Sequence, residues 1–247
     1  MAQVTVTATQ PAAEPTQTDT AKATTSAPGF SPTVRWLGFW SAVAMAATYV
    51  VFLVGAGAQM VGALTAPWDV IVTIGASILI APAFPLLLVS VHHATPEAKR
   101  VWSHAAIAFG VLYAAFVSIT YITWLFVAEP HVIAHTTSAA AATFGYQTSS
   151  MASGSFAYLL DGLGYTYMSL AVCLTAPIFT GGRLATWIRG IAIANGPIAL
   201  LVLLAYVFSS LVLGLGALLV PVYGVLVALY FYKANPTPIQ HPQSSAR

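Results

Sequence analysis

Charged side chains are scarce in this sequence: 247 residues include only eight Lys or Arg and six Asp or Glu. An ordinary soluble domain has roughly a quarter of its residues charged, so a water-facing surface cannot be built from this composition. The net charge of +2 is small, and no dense basic run is present. These two absences exclude a nucleic-acid partner.

Cysteine is almost absent as well. The single cysteine, Cys173, lies in an apolar segment, so an intramolecular disulfide, a CxxC redox pair and a thiolate zinc site are all excluded. We interpret it as a small buried apolar residue. The sequence predicts no cofactor.

Long uncharged apolar runs are present instead, and their length of about twenty residues is what a helix needs to cross about 30 Å of hydrocarbon. The runs are continuous rather than alternating, which favours helices over a β-barrel. The predicted fold is an all-α integral membrane bundle of six transmembrane helices. The predicted spans are residues 36–58, 68–92, 101–127, 155–179, 188–209 and 211–232, with a tight hairpin at Ser209 and Ser210 between the last two.

The segments that flank these spans are polar. Residues 1–33 are rich in Thr, Ala, Pro, Gln and Ser and predict a disordered tail, without the pattern of a secretory signal peptide. The membrane domain is expected over residues 34–233, with a second tail over residues 234–247. One long outer connection, residues 128–154, joins the third and fourth spans.

The cations indicate the orientation, because short loops keep them on the cytoplasmic side. Every Lys and Arg falls on one side of the predicted topology, which places both termini in the cytoplasm of a cell membrane. Tryptophan prefers the headgroup boundary, and all six fall at predicted span ends. Inner ends carry Trp36, Trp40, Trp102 and Trp187, and outer ends carry Trp68 and Trp124.

Asp161 is the most informative single residue, since it lies nearly two turns inside the outer end of the fourth predicted span. A charge at the centre of a bilayer costs about 2.5 to 3.5 kcal/mol on insertion scales, so some partner should offset it. Nearby hydroxyls such as Tyr165 could supply hydrogen bonds, and Gly162 and Gly164 would let another helix approach. Either a proton or cation site, or a structural carboxylate between helices, fits this pattern.

The outer side also carries Asp69 and Glu129, followed by His131 and His135, with no basic residue to pair them. This asymmetry could attract a cation, and the i, i+4 spacing of the two histidines is used by some metal ligands. No complete ligand motif is present, so we predict no metal centre. The alternative interpretation is that these four residues are solvated loop residues.

Three histidines, His92, His93 and His104, flank the turn between the second and third spans. Two histidines on neighbouring helices could ligate a haem, although their headgroup position favours solvated imidazoles. Prolines and glycines suggest helix breaks or kinks at Pro82 and Pro85 in the second span and at Asn195-Gly196-Pro197 in the fifth.

Two resemblances follow from short motifs. Met151-Ala152-Ser153-Gly154 resembles the nucleophile motif of rhomboid proteases, but its first glycine is replaced by Met151 and the last two spans contain no histidine base, which rejects that reading. Pro96–Trp102, Leu160–Tyr165 and Trp187–Gly196 resemble a bacterial family of six-span membrane proteins of unknown function. That resemblance implies a fold and a bacterial membrane, and no activity.

Three functional hypotheses result. The first is a multi-pass membrane protein of undefined biochemical role that acts as a binding, sensory or accessory component, with a protein partner or a second copy of itself. The second is a proton- or cation-coupled carrier of a small molecule that uses Asp161, with Asn195 at a helix break and Tyr165 beside the path. The third is an intramembrane enzyme or haem protein. No catalytic residues are predicted.

Overall fold

The structure is a computed structural model, and it describes residues 31–65, 67–130, 134, 139–144, 154–208 and 218–234. Within those ranges the chain is helical, with no β-strand, which confirms the all-α prediction. The helices are α1 Pro32–Met60, α2 Trp68–His93, α3 Arg100–Thr123, α4 Ala139–Phe144, α5 Phe156–Leu174, α6 Gly182–Phe208 and α7 Leu219–Lys233. A 3-10 turn, Glu97–Lys99, precedes α3, and a π-helical turn, Trp124–Ala128, follows it.

Four segments are long and apolar enough to cross a membrane: Pro32–Met60, Trp68–His93, Glu97–Ala128 and Gly182–Tyr206. The described part of α7 is apolar but shorter. Helix α5 has 19 residues, but Asp161 and three tyrosines reduce its hydropathy. The chain therefore has several helices suited to insertion in a bilayer.

All helices except the short α4 pack in chain order, each against the next, and α7 also packs against α1 to close a ring. Contacts show that neighbours are antiparallel: Gly55 lies against Thr73, and Gly110 lies against Leu88. We call the end where α1, α3 and α6 begin the cationic end, because the described Lys and Arg residues lie in that half. We call the other end the acidic end, because Asp69, Glu129 and Asp161 lie in that half.

Arg35 joins the first and last helices of this ring at the cationic end. Its Nε donates a hydrogen bond to the carbonyl of Phe231 at 3.3 Å, and its Nη2 donates to that of Tyr232 at 3.1 Å. The last carbonyls of a helix have no partner within the helix, and a cation there also suits the helix dipole. Arg35 thus caps the C-terminus of α7 from the first turn of α1.

Several details differ from the sequence predictions. Helix α5 ends at Leu174 rather than near 179, because residues 175–178 form a turn that contains Pro177. Helix α6 begins at Gly182 rather than at 188, and both Gly181 and Gly182 have positive φ. The predicted span covers only the part that crosses the bilayer, and a helix can extend beyond the bilayer.

Of the two alternatives for these prolines, helix breaks are wrong, and kinks within continuous helices stay a prediction. Helix α2 continues through Pro82 and Pro85, and α6 continues through Pro197. A proline removes one backbone hydrogen bond, and the remaining bonds of a long packed helix hold it together. The hairpin predicted at Ser209 and Ser210 lies outside the described residues.

Two features of the acidic end were not predicted. The connection 128–154 contains the short helix α4, which packs against the π-helical turn. Five of the six tryptophans are exposed near helix ends, as expected of boundary residues, but Trp124 is buried in the π-helical turn.

Candidate functional site

Asp161 lies in the interior of the helical ring, on the sixth residue of α5. Ser155 directly precedes α5, and its side chain accepts a hydrogen bond from the Tyr158 amide, which caps the N-terminus of the helix. The carboxylate is 4% exposed, although it lies only about 7.5 Å along the helix axis from the first residue of α5. Burial follows from the neighbouring helices rather than from depth alone.

Tyr206 of α6 is the direct partner of this carboxylate. Its hydroxyl donates a hydrogen bond to Oδ2 of Asp161. The tyrosine ring lies on Gly162, where an added Cβ would stand 2.6 Å from the ring Cγ. Only glycine at position 162 therefore lets Tyr206 lie across α5 and reach the carboxylate.

Four further tyrosines surround the same group. Tyr49 comes from α1, Tyr113 and Tyr121 come from α3, and Tyr165 lies one turn along α5. All four are buried, and the ring centres of Tyr113 and Tyr165 are 6.0 Å apart. The Tyr121 and Tyr165 hydroxyls are 3.0 Å apart and share a hydrogen bond. Tyrosines from four helices thus lie around Asp161. The predicted partner Tyr165 is hydrogen-bonded to Tyr121, and the hydroxyl that bonds Asp161 is that of Tyr206, which was not predicted.

The other oxygen of the carboxylate, Oδ1, has no hydrogen-bond partner among the described residues, and less than 1 Å² of it can be touched by a water-sized sphere. The two pockets described here lie elsewhere. One of about 200 Å³ is at the cationic end near Val91 and Phe179, and the other is an apolar groove between α1 and α7. Asp161 itself packs against the neighbouring helices, with 4% of the residue exposed.

A stripe of polar residues on α2 leads from the acidic end towards this cluster. Asp69, Thr73 and Ser77 are spaced four residues apart and are all buried. The Thr73 and Ser77 hydroxyls donate hydrogen bonds to the carbonyls of Asp69 and Thr73, at 2.6 and 2.9 Å. Ser77 also interacts with the Tyr165 hydroxyl. Buried polar residues thus extend over about two turns of α2.

At the acidic end, the structure buries Asp69 and Glu129 rather than leaving them in solvent. Asp69 is 6% exposed and Glu129 is 3% exposed, so the interpretation of these two as solvated loop residues is wrong. Both lie in helical backbone, where α2 begins and where the π-helical turn ends. His131 and His135, the weak metal candidates beside them, lie outside the described residues.

Asn195 does not lie at a helix break. The residue is fully buried inside continuous α6, and its Nδ2 donates to the carbonyl of Ile191 at 2.8 Å. Its neighbour Gly196 packs on Cys173 of α5, where an added Cβ would lie 3.0 Å from Sγ. This close approach of α5 and α6 explains why the segment has a glycine.

The three histidines of the cationic end do come together. The ring centres of His92 and His104 are 4.3 Å apart, and His92 Nδ1 is 2.8 Å from the Ser103 hydroxyl. A haem iron between two imidazoles needs a ring nitrogen of each to point at it, whereas these rings lie against each other. Within the described ranges, no group of three or more His, Cys, Asp or Glu side chains could hold a metal ion.

No family model, curated protein or solved structure matches this chain.

Sequence reasoning missed several members of the site, above all Tyr206, Tyr121, Tyr49 and Gln59. The available signal was weak: tyrosines and a glutamine in apolar segments without basic residues. Their side chains meet only because the helices close into a ring, and that arrangement cannot be derived from single-helix patterns.

Proposed function

We propose that this chain is a six-span protein of a bacterial cell membrane, with both termini cytoplasmic, that acts as a proton-binding sensory or accessory component. Asp161 is the proposed proton site. Support for the membrane topology comes from the apolar helices, the antiparallel ring and the location of the described cations at one end. Support for the site comes from one observation, the burial of a carboxylate with one unpaired oxygen among tyrosines.

The enclosure of Asp161 favours a proton over a larger ligand. A buried carboxylate without a cation must be neutralised or heavily hydrogen-bonded, since charge is costly in a medium of low dielectric constant. No water-sized space adjoins Oδ1, so a metal ion or an organic cation would require the helices to separate. A proton requires no such volume.

The contact with Tyr206 offers a way to transmit occupancy of the site. A hydroxyl donates a stronger hydrogen bond to an ionised carboxylate than to a neutral carboxylic acid. Proton uptake at Asp161 would therefore weaken the bond between α5 and α6 at the Gly162 crossing. A change in the packing of these two helices is the proposed output of the sensor.

Titration of purified protein tests this proposal. Tyrosine ultraviolet absorbance would be followed from about pH 4 to about pH 9 in wild type, Asp161→Asn and the matched control Tyr232→Phe. Tyr232 is an exposed tyrosine at the far end of α7. We expect a one-proton transition in wild type and in the control, and its loss in Asp161→Asn.

The same transition in Asp161→Asn and in wild type would refute the proposal, provided that both proteins have the same helical content by circular dichroism. Because Asn has nearly the shape of Asp, an equal fold is the expected result. Tyr206→Phe should remove the optical signal and leave the proton uptake, as measured with a pH-indicator dye.

A proton-coupled carrier is the second candidate, and the polar stripe from Asp69 to Ser77 favours it. The stripe would give protons a polar route from the acidic end to the interior. In proteoliposomes with an imposed pH gradient, a carrier would dissipate the gradient and Asp161→Asn would not. If wild type and Asp161→Asn dissipated the gradient at equal rates, the carrier function would be refuted and the sensory function would remain.

A further inference from the structure

Two buried acids at the acidic end form a site separate from Asp161. Helices α2 and α3 are antiparallel neighbours, so the start of α2 lies beside the end of α3, and the π-helical turn before Glu129 packs on α2. Asp69 is the second residue of α2, and Glu129 directly follows the turn. Asp69 and Glu129 therefore lie at the same end of two elements that pack together.

The partners of these carboxylates are unequal. Asp69 is satisfied: Oδ1 accepts from the Val70 amide at 2.9 Å, and Oδ2 accepts from Nε2 of Gln59 at 3.2 Å. Both oxygens of Glu129 are buried, and neither has a hydrogen-bond partner among the described residues. Glu129 is therefore an unpaired side chain that is only 3% exposed, at the same end as a second acid.

No cation compensates the pair within the described chain. Helix α1 contributes the neutral Gln59, α2 contributes Asp69, and α4, which packs on the π-helical turn, contains only Ala, Thr and Phe. Burial, and then the charge of Asp69, raise the pKa of Glu129 above its ordinary value. Two close carboxylates in such surroundings do not both ionise easily.

We propose that Glu129, at the same end as Asp69, is a second proton-binding site. Asp69 already accepts two hydrogen bonds, whereas Glu129 accepts none among the described residues, so Glu129 is the group that takes the proton. Both Glu129 oxygens are buried, so here too a proton fits without rearrangement. This site does not depend on the function proposed for Asp161.

The pH dependence of stability tests the assignment. A carboxyl whose pKa is raised by folding contributes stability that is fully present below the unfolded value, about 4.3 for Glu, and is lost as the pH rises through the folded value. The unfolding temperature of wild type in detergent should therefore fall as the pH rises from about 4.3 through the folded pKa of Glu129. Glu129→Gln should lack that component and unfold about 2 to 4 °C higher than wild type at about pH 8.

Asp69→Asn separates the pair from a lone buried acid. The variant keeps an acceptor for Gln59 but removes the neighbouring charge, so the pH-dependent component should shift to lower pH. An unchanged pH profile in both variants would overturn the proton site at Glu129. Stabilisation of wild type, but not of Glu129→Gln, by millimolar Ca²⁺ or Mg²⁺ would also overturn it, in favour of a divalent-cation site.

Measurement in the Asp161→Asn background keeps the two proposals distinct. The component assigned to Glu129 should persist there, because the two acids lie at different depths and on different helices. If it disappears with Asp161, the second site is refuted, while the titration of Asp161 itself stands.

Discussion

At the scale of single residues, the three buried acids of the polar interior differ in how many partners their oxygens have. Both oxygens of Asp69 accept a hydrogen bond, one oxygen of Asp161 does, and neither oxygen of Glu129 does among the described residues. An unsatisfied buried carboxylate is costly, and the cost falls when the group is neutral. Glu129 is therefore the acid with the fewest hydrogen bonds to favour its ionised form.

Gly162 carries the contact on which the Asp161 site depends. Gly162→Ala would place a methyl group 2.6 Å from Cγ of Tyr206, at the rigid base of the ring. We expect a loss of about 1 to 3 kcal/mol from overpacking, with the optical transition of Asp161 altered because Tyr206 is displaced.

Gly75→Ala is the matched control for that change, since nothing lies within 4 Å of an added Cβ in the middle of α2. Alanine is favoured over glycine in a helix, so thermal unfolding of this variant should occur at or above the wild-type temperature. Equal melting of the two variants would show that Tyr206 does not press on α5.

The sequence identified Asp161 as a buried polar site because a carboxylate in an apolar span is conspicuous by itself. Tyr206 is not conspicuous, since a tyrosine near the end of an apolar helix is also typical of the headgroup boundary. Trp124 shows the opposite error, because a residue predicted to be at the boundary is buried. Composition predicts which residues are polar, and only packing determines which of them meet.

At the scale of helices, the Tyr121–Tyr165 hydrogen bond links α3 to α5 close to the site. A double-mutant cycle with Tyr121→Phe, Tyr165→Phe and the double variant should give a coupling energy of about 0.5 to 1.5 kcal/mol in thermal or denaturant unfolding. The membrane environment favours the lower part of that range, about 0.6 kcal/mol.

Thr175 and Tyr223 provide a reference pair for that cycle. Their hydroxyls are 2.9 Å apart and link the turn after α5 to α7, away from the acids. Both cycles should show coupling, and only the first should also shift the Asp161 titration. Zero coupling between Tyr121 and Tyr165 would mean that their hydroxyls find equivalent partners when separated.

The helices themselves were predictable because length and hydrophobicity are local properties. Helix α2 begins at Trp68 and α1 covers the whole predicted span 36–58. The errors occur where the signal is not local. Helix α6 begins at Gly182, before the predicted start at residue 188, because the sequence pattern indicates where the bilayer begins and not where the helix begins. The π-helical turn at Trp124 has no sequence signature.

At the scale of the whole molecule, the proposed topology can be tested with engineered cysteines, because Cys173 is the only natural one. In a Cys173→Ala parent, Val61→Cys reports on the acidic end, and Ala98→Cys and Lys233→Cys report on the cationic end. A maleimide that cannot cross membranes should label only Val61→Cys in intact cells. Permeabilised cells should show labelling at all three positions.

External labelling of Ala98→Cys would reverse the proposed orientation. Labelling of Lys233→Cys in intact cells, with Ala98→Cys protected, would instead contradict an even number of crossings between them. The positive-inside rule predicts neither result, since the described cations lie at a single end of the ring.

The Arg35 cap on α7 has a consequence for how the ring is connected. The long helices follow the same order around the ring as along the chain. The Arg35 guanidinium joins the start of α1 to the end of α7, and a peptide linker could join the two helices at the same place. A circular permutant opened within the exposed Glu97–Lys99 turn would keep every helix neighbour and both new ends on the cationic side. The packing of the ring is thus compatible with a chain order that starts at another helix.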